Sequence, residues 1–159
     1  MRKKIFTIAL TLILALSTAT STASAAQPDT LYTTVSDADE NGNYFETTIE
    51  IVPTVSMLST TQTKTAKKTT SYKNSSGTVL WSITIKATFS YDGKTSKCTS
   101  CSHSTNVSAS GWTISNASSS KSGNSATATA TAKYQRSNEA TQKHTKSVTI
   151  RCSANGTIS

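Results

Sequence analysis

The hydrophobic pattern is clearest in residues 79–98, VLWSITIKATFSYDGKTSKC. Up to Tyr91, apolar residues occupy every second position, and the residues between them are mainly serine, threonine and lysine. A period of two is typical of a β-strand with one buried face. The buried positions include Trp81 and Phe89, which we predict to be core anchors together with Trp112.

The strand ends at Asp92-Gly93, a pair that favours a two-residue type I′ turn because both central residues need a positive φ. A hairpin with this turn places Ala87 opposite Cys98. Directly opposed residues point to the same side of a sheet, so Cys98 should lie on the buried face. Cys101 has the opposite parity and should point outward.

Other segments repeat the alternation. Residues 125–134 alternate alanine with threonine, and only a strand separates the two sets cleanly, so we predict a strand that faces a neighbour needing thin side chains. The serine-rich tract 116–124 is interpreted as a loop. Together these segments predict an all-β fold, an antiparallel β-sandwich whose strand order the sequence leaves open. Further strands are expected after the Asn41-Gly42 turn, near residues 65–72, around Val107, and at Val148, Ile150 and Cys152.

The N-terminus predicts export. Its first residues are basic, an apolar run then spans residues 5–16, and small residues follow up to Ala26. This layout is typical of a secretory signal peptide. We expect residues 1–25 to be removed by cleavage near Ala25 or Ala26 and the mature chain to be secreted. The apolar run is shorter than the roughly 20 residues that span a bilayer.

The remaining charges divide into an acidic leader and a basic body. The sequence has 16 Lys and Arg against 8 Asp and Glu, and six of the acids precede residue 51. From Lys64 onward, thirteen basic residues accompany two acidic ones, a net charge of +11. We therefore predict an acidic, partly ordered leader or linker at residues 26–61 and a basic β-sandwich domain at residues 62–159.

The basic body could bind an anionic wall polymer or another surface protein. Nearly all of its basic residues are lysines, and its arginines are Arg136 and Arg151 only. Because arginine is the better phosphate ligand and the aromatic residues fall on buried positions, nucleic acid is not favoured as a partner.

The three cysteines predict one disulfide. Cys152 shares parity with Val148 and Ile150, so it should face inward like Cys98, and disulfides persist in exported proteins. A Cys98–Cys152 bridge would stabilise the fold by roughly 3–4 kcal/mol. Cys101 would then be a free thiol or pair between molecules.

Two metal sites are alternative interpretations. Cys98, Cys101 and Cys152 with His103 have a spacing that allows tetrahedral zinc ligation, although the opposite parity of Cys98 and Cys101 argues against it. Asp37, Asp39 and Asn41 match the first half of a calcium loop, but Thr48 stands where a bidentate glutamate is expected. A solvated hairpin turn explains the same acidic residues, so we expect no metal and no cofactor.

Catalytic chemistry has few candidates. The histidines, His103 and His144, lie in polar segments and are expected on the surface. The carboxylates of the basic body, Asp92 and Glu139, are predicted in turns, whereas a glycosidase needs two that flank a bond. No serine lies in a nucleophile elbow. We therefore expect no catalytic residue.

Two resemblances follow from the motifs. The order Cys98, Trp112, Cys152 is similar to the cysteine, core tryptophan, cysteine order of immunoglobulin-type sandwiches, but Ile150 stands where their corner tyrosine would be. Residues 62–159 contain five short segments, YKNSSG, FSYDGKTSKC, GW, SKSGNSATATA and RCSANG. These segments resemble those of a group of small exported proteins of Gram-positive bacteria without an assigned activity. That resemblance implies export and a related fold, and it transfers no site.

Three functional hypotheses remain from the sequence. The first is an exported, non-catalytic β-sandwich that acts as a binding or surface module. The second is a cationic effector of cell envelopes whose basic body is masked by the acidic leader until proteolysis. A secreted hydrolase is the third, and it has the least support.

Overall fold

The computed structural model describes residues 29–53, 60–137 and 140–159, and the regular elements in these ranges are β-strands. They form two antiparallel sheets, one of five strands and one of three. The predicted all-β antiparallel sandwich is therefore confirmed. The strands are β1 (Asp29–Val35), β2 (Tyr44–Val52), β3 (Gln62–Lys73), β4 (Val79–Tyr91), β5 (Ser96–Val107), β6 (Trp112–Ser122), β7 (Ser125–Tyr134) and β8 (Gln142–Arg151).

Within each sheet, every strand pairs with its neighbour in sequence. The large sheet has the order β1-β2-β3-β4-β5 and the small sheet the order β6-β7-β8, so the chain passes from one sheet to the other between β5 and β6. This double meander lacks the exchange of strands between sheets that characterises immunoglobulin domains. The small sheet packs on β3, β4 and β5, and β1 and β2 extend the large sheet beyond it.

The β4–β5 hairpin has a longer turn than the sequence predicts. Its last pair is Tyr91 with Ser96, and Phe89, not Ala87, lies opposite Cys98. The predicted two-residue register is therefore wrong. The Asp92 carboxylate explains the difference, because its Oδ1 accepts hydrogen bonds from the backbone N–H groups of the second and third residues after it, at 2.9 and 2.7 Å. A shift of two residues preserves parity, so Cys98 still faces inward and is buried.

A β-bulge next to Cys98 reverses the parity of the rest of β5. The register shifts between Thr88 and Phe89, and beyond it Cys101 lies opposite the buried Ala87. Cys101 consequently packs, half-buried, against the core, and the expectation that it points outward is wrong. A bulge adds one residue to one strand, and no residue pattern in this segment predicts it.

The serine-rich tract before residue 124 is a strand. β6 runs to Ser122 and pairs with β7 along its whole length, so the predicted loop is wrong. Ala117 and Ser119, which lie opposite alanines of β7, are half-buried. Small polar residues on an edge strand leave too weak a hydrophobic pattern to detect from sequence.

Thin side chains on β7 let the two sheets approach. Its alanines, at alternate positions from Ala126 to Ala132, are at most 1% exposed, which confirms the predicted strand and its orientation. They face a core that includes the fully buried Trp81 and Phe89 on β4 and, at the edge, Trp112 on β6. Close packing of such apolar surface is the main stabilising contribution to a fold of this size.

The acidic segment before residue 53 pairs with the basic body. β2 pairs with β3 over its full length, Ile49 lies in the core with no exposed surface, and Glu46 forms a 2.6 Å ion pair with Lys73. The hairpin predicted at Asn41-Gly42 is confirmed as the β1–β2 connection. The predicted signal peptide, its cleavage position and Glu139 lie outside the described residues. Within the described ranges, no helix is long and apolar enough to cross a membrane.

Candidate functional site

An aromatic groove of about 390 Å³ opens at one end of the sandwich, where residues from both sheets and from two turns meet. It lies where β3 and β7 end and where β4, β6 and β8 begin. Inward-facing residues at these strand ends are longer than the alanines of the middle of β7. The lining residues are Asn41, Asn43, Tyr72, Asn74, Leu80, Trp112, Tyr134, Arg136, Gln142 and His144.

The walls of the groove are aromatic. Trp112 on β6 stacks on its cross-strand neighbour Tyr134 with ring centroids 5.0 Å apart, and Tyr72 on β3 meets Trp112 edge to face at 5.6 Å. Behind them, Phe45 lies 4.8 Å from Tyr72. Such contacts link the two sheets and add about 0.5–1.5 kcal/mol per pair beyond the area that they bury.

Gly111 brings the Tyr134 ring close to the backbone. Its φ of +81° suits the turn before β6, and a Cβ at this position would lie 2.9 Å from the Tyr134 ring. The Gly111 carbonyl also accepts a 2.9 Å hydrogen bond from the N–H of Gln135. This glycine therefore fixes the position of one wall of the groove.

His144 is part of the aromatic cluster. Its ring centroid is 5.1 Å from that of Tyr72 and 5.3 Å from that of Trp112, and the residue is half-buried. The expectation that this histidine lies on the open surface is wrong. His144 belongs to β8, opposite Ala132, where its side chain points between the sheets.

A hydrogen bond between Tyr72 and Asp39 closes the groove on the β1–β2 side. The Tyr72 hydroxyl donates to Asp39 Oδ2 at 2.5 Å. Burial, and then this hydrogen bond, raises the pKa of Tyr72 to about 12, whereas the same hydrogen bond is the largest cause that lowers the pKa of Asp39. At neutral pH the phenol is therefore protonated and the carboxylate ionised, which makes Tyr72 a poor general base.

Positive charge borders the groove and its aromatic cluster. The Arg136 guanidinium lies 5.9 Å from the centre of the Tyr134 ring, and Lys146 lies 4.3 Å above the Phe45 ring. Cations over aromatic faces stabilise both partners and keep the charge at a fixed place. The described lining residues include Arg136 and no carboxylate, and the ionised Asp39 carboxylate lies beside them as the acceptor of the Tyr72 hydroxyl.

The carboxylate of Asp39, a candidate calcium ligand, accepts hydrogen bonds from neighbouring residues of the protein. Its Oδ1 accepts hydrogen bonds from the backbone N–H groups of Asn41 and Asn43, both at 2.9 Å, and its Oδ2 accepts the Tyr72 hydroxyl. These bonds stabilise the β1–β2 turn without an ion. In the described part of the chain, no three His, Cys, Asp or Glu side chains form a group that could hold a metal, and this includes the four candidate zinc ligands.

The structure holds Cys98, Cys101 and Cys152 as thiols, so the expected bridge is not formed in it. The backbone nevertheless brings Cys98 and Cys152 to the same turn. The N–H of Cys98 donates to the Gly123 carbonyl at 2.8 Å, and that of Cys152 donates to the adjacent Asn124 carbonyl at 3.1 Å. Both side chains are buried. Burial first, and then the charge of Cys101, raises the pKa of the Cys98 thiol.

Comparisons with protein-family models, with curated proteins and with solved structures found no significant match. The groove was not predicted from the sequence, because its residues come from separate strands. The available signal was the inward parity of Tyr72 and Tyr134 at strand ends, where an aromatic side chain is not covered on all sides.

Proposed function

We propose that this chain is an exported, non-catalytic binding module that takes a ring-bearing, hydroxyl-rich ligand such as a saccharide in the aromatic groove. The observation that carries the proposal is the combination of aromatic walls with a rim of amide side chains in one concave site. The half-buried Tyr134 ring can accept the apolar face of a sugar, while Trp112 and Tyr72, 9% and 3% exposed, pack behind it. Amides both donate and accept hydrogen bonds to sugar hydroxyls. Binding sites commonly combine apolar walls with a few polar groups that set orientation.

The same geometry argues against catalysis. A hydrolase needs an acid and a base that reach the reacting bond, and the one described carboxylate beside the groove, that of Asp39, is held by Tyr72 and by the turn. The pKa of Tyr72 is about 12, so this phenol is protonated at neutral pH and cannot act as a base. The resemblance to exported Gram-positive proteins and the predicted signal peptide support an extracellular place of action.

The masked effector is the second candidate. In its favour, the acidic β2 lies against the basic β3, and Glu46 pairs with Lys73 at 2.6 Å. Against it, β2 also supplies Ile49 to the core and Phe45 to the aromatic cluster. Proteolytic release of the basic body would remove both side chains and leave β3 as an open edge, so a loss of stability is expected rather than a free, active domain.

Titration of the secreted chain with neutral oligosaccharides tests the proposal. Trp112 lines the groove and Trp81 is fully buried, so a bound ring should change the fluorescence of Trp112. We expect Tyr134→Leu to weaken binding by roughly three- to tenfold, the value of one aromatic contact. Tyr91→Leu is the matched control, because Tyr91 is half-buried at the opposite end of β4.

A panel in which no oligosaccharide changes the fluorescence would contradict the saccharide assignment. Equal weakening by Tyr134→Leu and Tyr91→Leu would contradict the groove as the place of binding. The masked effector has its own test in the intact mass of the secreted protein, since a single species that retains β1 and β2 would argue against proteolytic release.

A further inference from the structure

Two lysines oppose each other on the outer face of the large sheet. Lys67 on β3 pairs directly with Lys86 on β4, far from the aromatic groove. Directly opposed residues have Cβ atoms about 4.5–5.5 Å apart, and like charges carried by such residues destabilise a sheet. Among the described residues, neither ammonium group has an ion-pair or hydrogen-bond partner, and Glu50, beside Lys67 on β2, forms no ion pair with it.

The position of this pair prevents the backbone from relieving the repulsion. β3 and β4 are internal strands with a hydrogen-bonded neighbour on each side, so they cannot splay apart. A second opposed pair, Lys133 and Lys143, involves β8, which is an edge strand of the small sheet. Repulsion between two like charges on central strands is a local departure from the rules of sheet stability, and such departures are expected at functional sites. We therefore looked for a ligand at this pair.

The two lysines line a shallow depression of about 310 Å³ together with hydroxyl side chains, Glu50 and His103, so two ammonium groups face one carboxylate there. Thr69 and Thr84 share a 2.9 Å hydrogen bond across β3 and β4. Because each hydroxyl carries one proton, one donor of this pair stays available for a ligand. Ser102 and Ser104 continue the floor on β5, opposite Lys86 and Thr84.

We propose that the depression between Lys67 and Lys86 binds the phosphate group of a phosphate ester. An anion between the two ammonium groups converts their mutual repulsion into two attractions. Hydroxyl donors of the floor supply hydrogen bonds to phosphate oxygens, and lysine acts on such a group as a compact point charge. The site is independent of the groove, so a saccharide and a phosphate ester can be bound together.

Titration of the full secreted chain with glycerol phosphate, followed by NMR or calorimetry, tests the site. We expect Lys67→Gln and Lys86→Gln each to weaken binding about tenfold. Lys133→Gln and Lys143→Gln change the net charge equally and should weaken it by no more than about twofold. Equal weakening by all four variants would show a general attraction to a basic surface and would overturn the proposal.

The stability of the unliganded variants provides a second measurement. Removal of the like charge in Lys86→Gln should raise the melting temperature without phosphate, while added phosphate should stabilise the wild-type chain more than the variant. A variant that is destabilised without ligand, or stabilised by phosphate as much as the wild type, would contradict the assignment.

Three probes distinguish the source of the phosphate. Inorganic phosphate, soluble glycerol phosphate and phosphatidylglycerol vesicles are compared, with phosphatidylcholine vesicles as the uncharged control. Binding of the soluble ester alone supports a free or polymeric ester, and lysine-dependent binding of both ester and vesicles supports a lipid headgroup as well. Binding of vesicles alone, or of acetate as tightly as phosphate, would overturn the proposal.

Discussion

The Tyr72 hydroxyl donates a 2.5 Å hydrogen bond to the carboxylate of Asp39, a residue 33 positions earlier in the chain. This bond ties the β1–β2 turn to the third strand of the large sheet and to the aromatic cluster. It connects an exposed acidic turn with the buried core.

Stability should fall at alkaline pH because of Tyr72. Its pKa in the folded protein is about 12, above the ordinary value of 10.0, so the stabilisation is complete below pH 10 and is lost as the pH rises towards 12. The expected loss across this window is roughly 2 kcal/mol. Denaturant unfolding at several pH values measures it, and Tyr72→Phe should lack this loss. An equal alkaline loss in the variant would assign the effect to another group.

Tyr72→Phe should also change how the stability of the protein depends on pH in the acid range. The pKa of Asp39 is lowered below its ordinary 3.8, mainly by Tyr72, so its contribution to stability is present above that value and lost as the pH falls through the folded one. Tyr72→Phe should cost about 1 kcal/mol at neutral pH. Its stability should then decline less than that of the wild type on acidification. A steeper acid decline in the variant would contradict this linkage.

Lys68 is expected to weaken the fold at neutral pH. It lies on the inner face of β3, opposite Ile49, and burial followed by the charge of Arg151 lowers its pKa. A charge that is disfavoured by its surroundings costs stability while it is protonated. Lys68→Met should therefore stabilise the protein by about 1 kcal/mol in thermal or denaturant unfolding. Lys97→Met, on the exposed part of β5, is the control and should have little effect.

Gly111→Ala should be more damaging than the same change at Gly93. Both glycines have a positive φ, +81° and +85°, and an alanine at either position costs about 1–2 kcal/mol. Only at Gly111 would the new Cβ meet another residue, the Tyr134 ring at 2.9 Å. We expect a further cost of about 1–3 kcal/mol and weaker binding in the groove. Equal losses at the two positions would show that the ring adapts freely.

The thiols should differ in reactivity. Cys101 is half-buried, whereas Cys98 and Cys152 are at most 2% exposed, and burial raises the pKa of Cys98. Alkylation of the folded, reduced protein should therefore label Cys101 first, as measured by peptide mass spectrometry. In the protein after oxidation, non-reducing peptide mapping should find Cys98 joined to Cys152. A bridge from Cys101 to Cys152 would contradict that pairing.

Much of the fold was predictable where one face of a strand is apolar throughout. Residues 79–91 and 125–134 show strict alternation, and both are strands with the predicted bounds. The β4–β5 register was not predictable, because an aspartate carboxylate and a bulge decide it, and neither changes the hydrophobic pattern. Residues 116–122 of β6 were missed for the opposite reason, since most of these small polar residues are exposed and carry no pattern.

The candidate sites were less accessible to sequence reasoning. Tyr72, Tyr134 and His144 come from three strands of two sheets, and their meeting is a property of tertiary packing. Lys86 lies on a predicted polar face and Lys67 in a predicted strand, but their direct opposition depends on the register of β3 against β4. A pattern along one strand does not specify which residue it meets on the next.

The double meander also determines how this chain can assemble. Because within each sheet every strand pairs with its neighbour in sequence, the paired strands are close along the chain, and the large sheet is complete in sequence before the first strand of the small sheet begins. Low sequence separation between paired strands lowers the entropy of loop closure and favours fast folding for an all-β chain. In a chain delivered from its N-terminus, the strands of the large sheet can therefore pair in the order in which they emerge, and the small sheet then covers their apolar face.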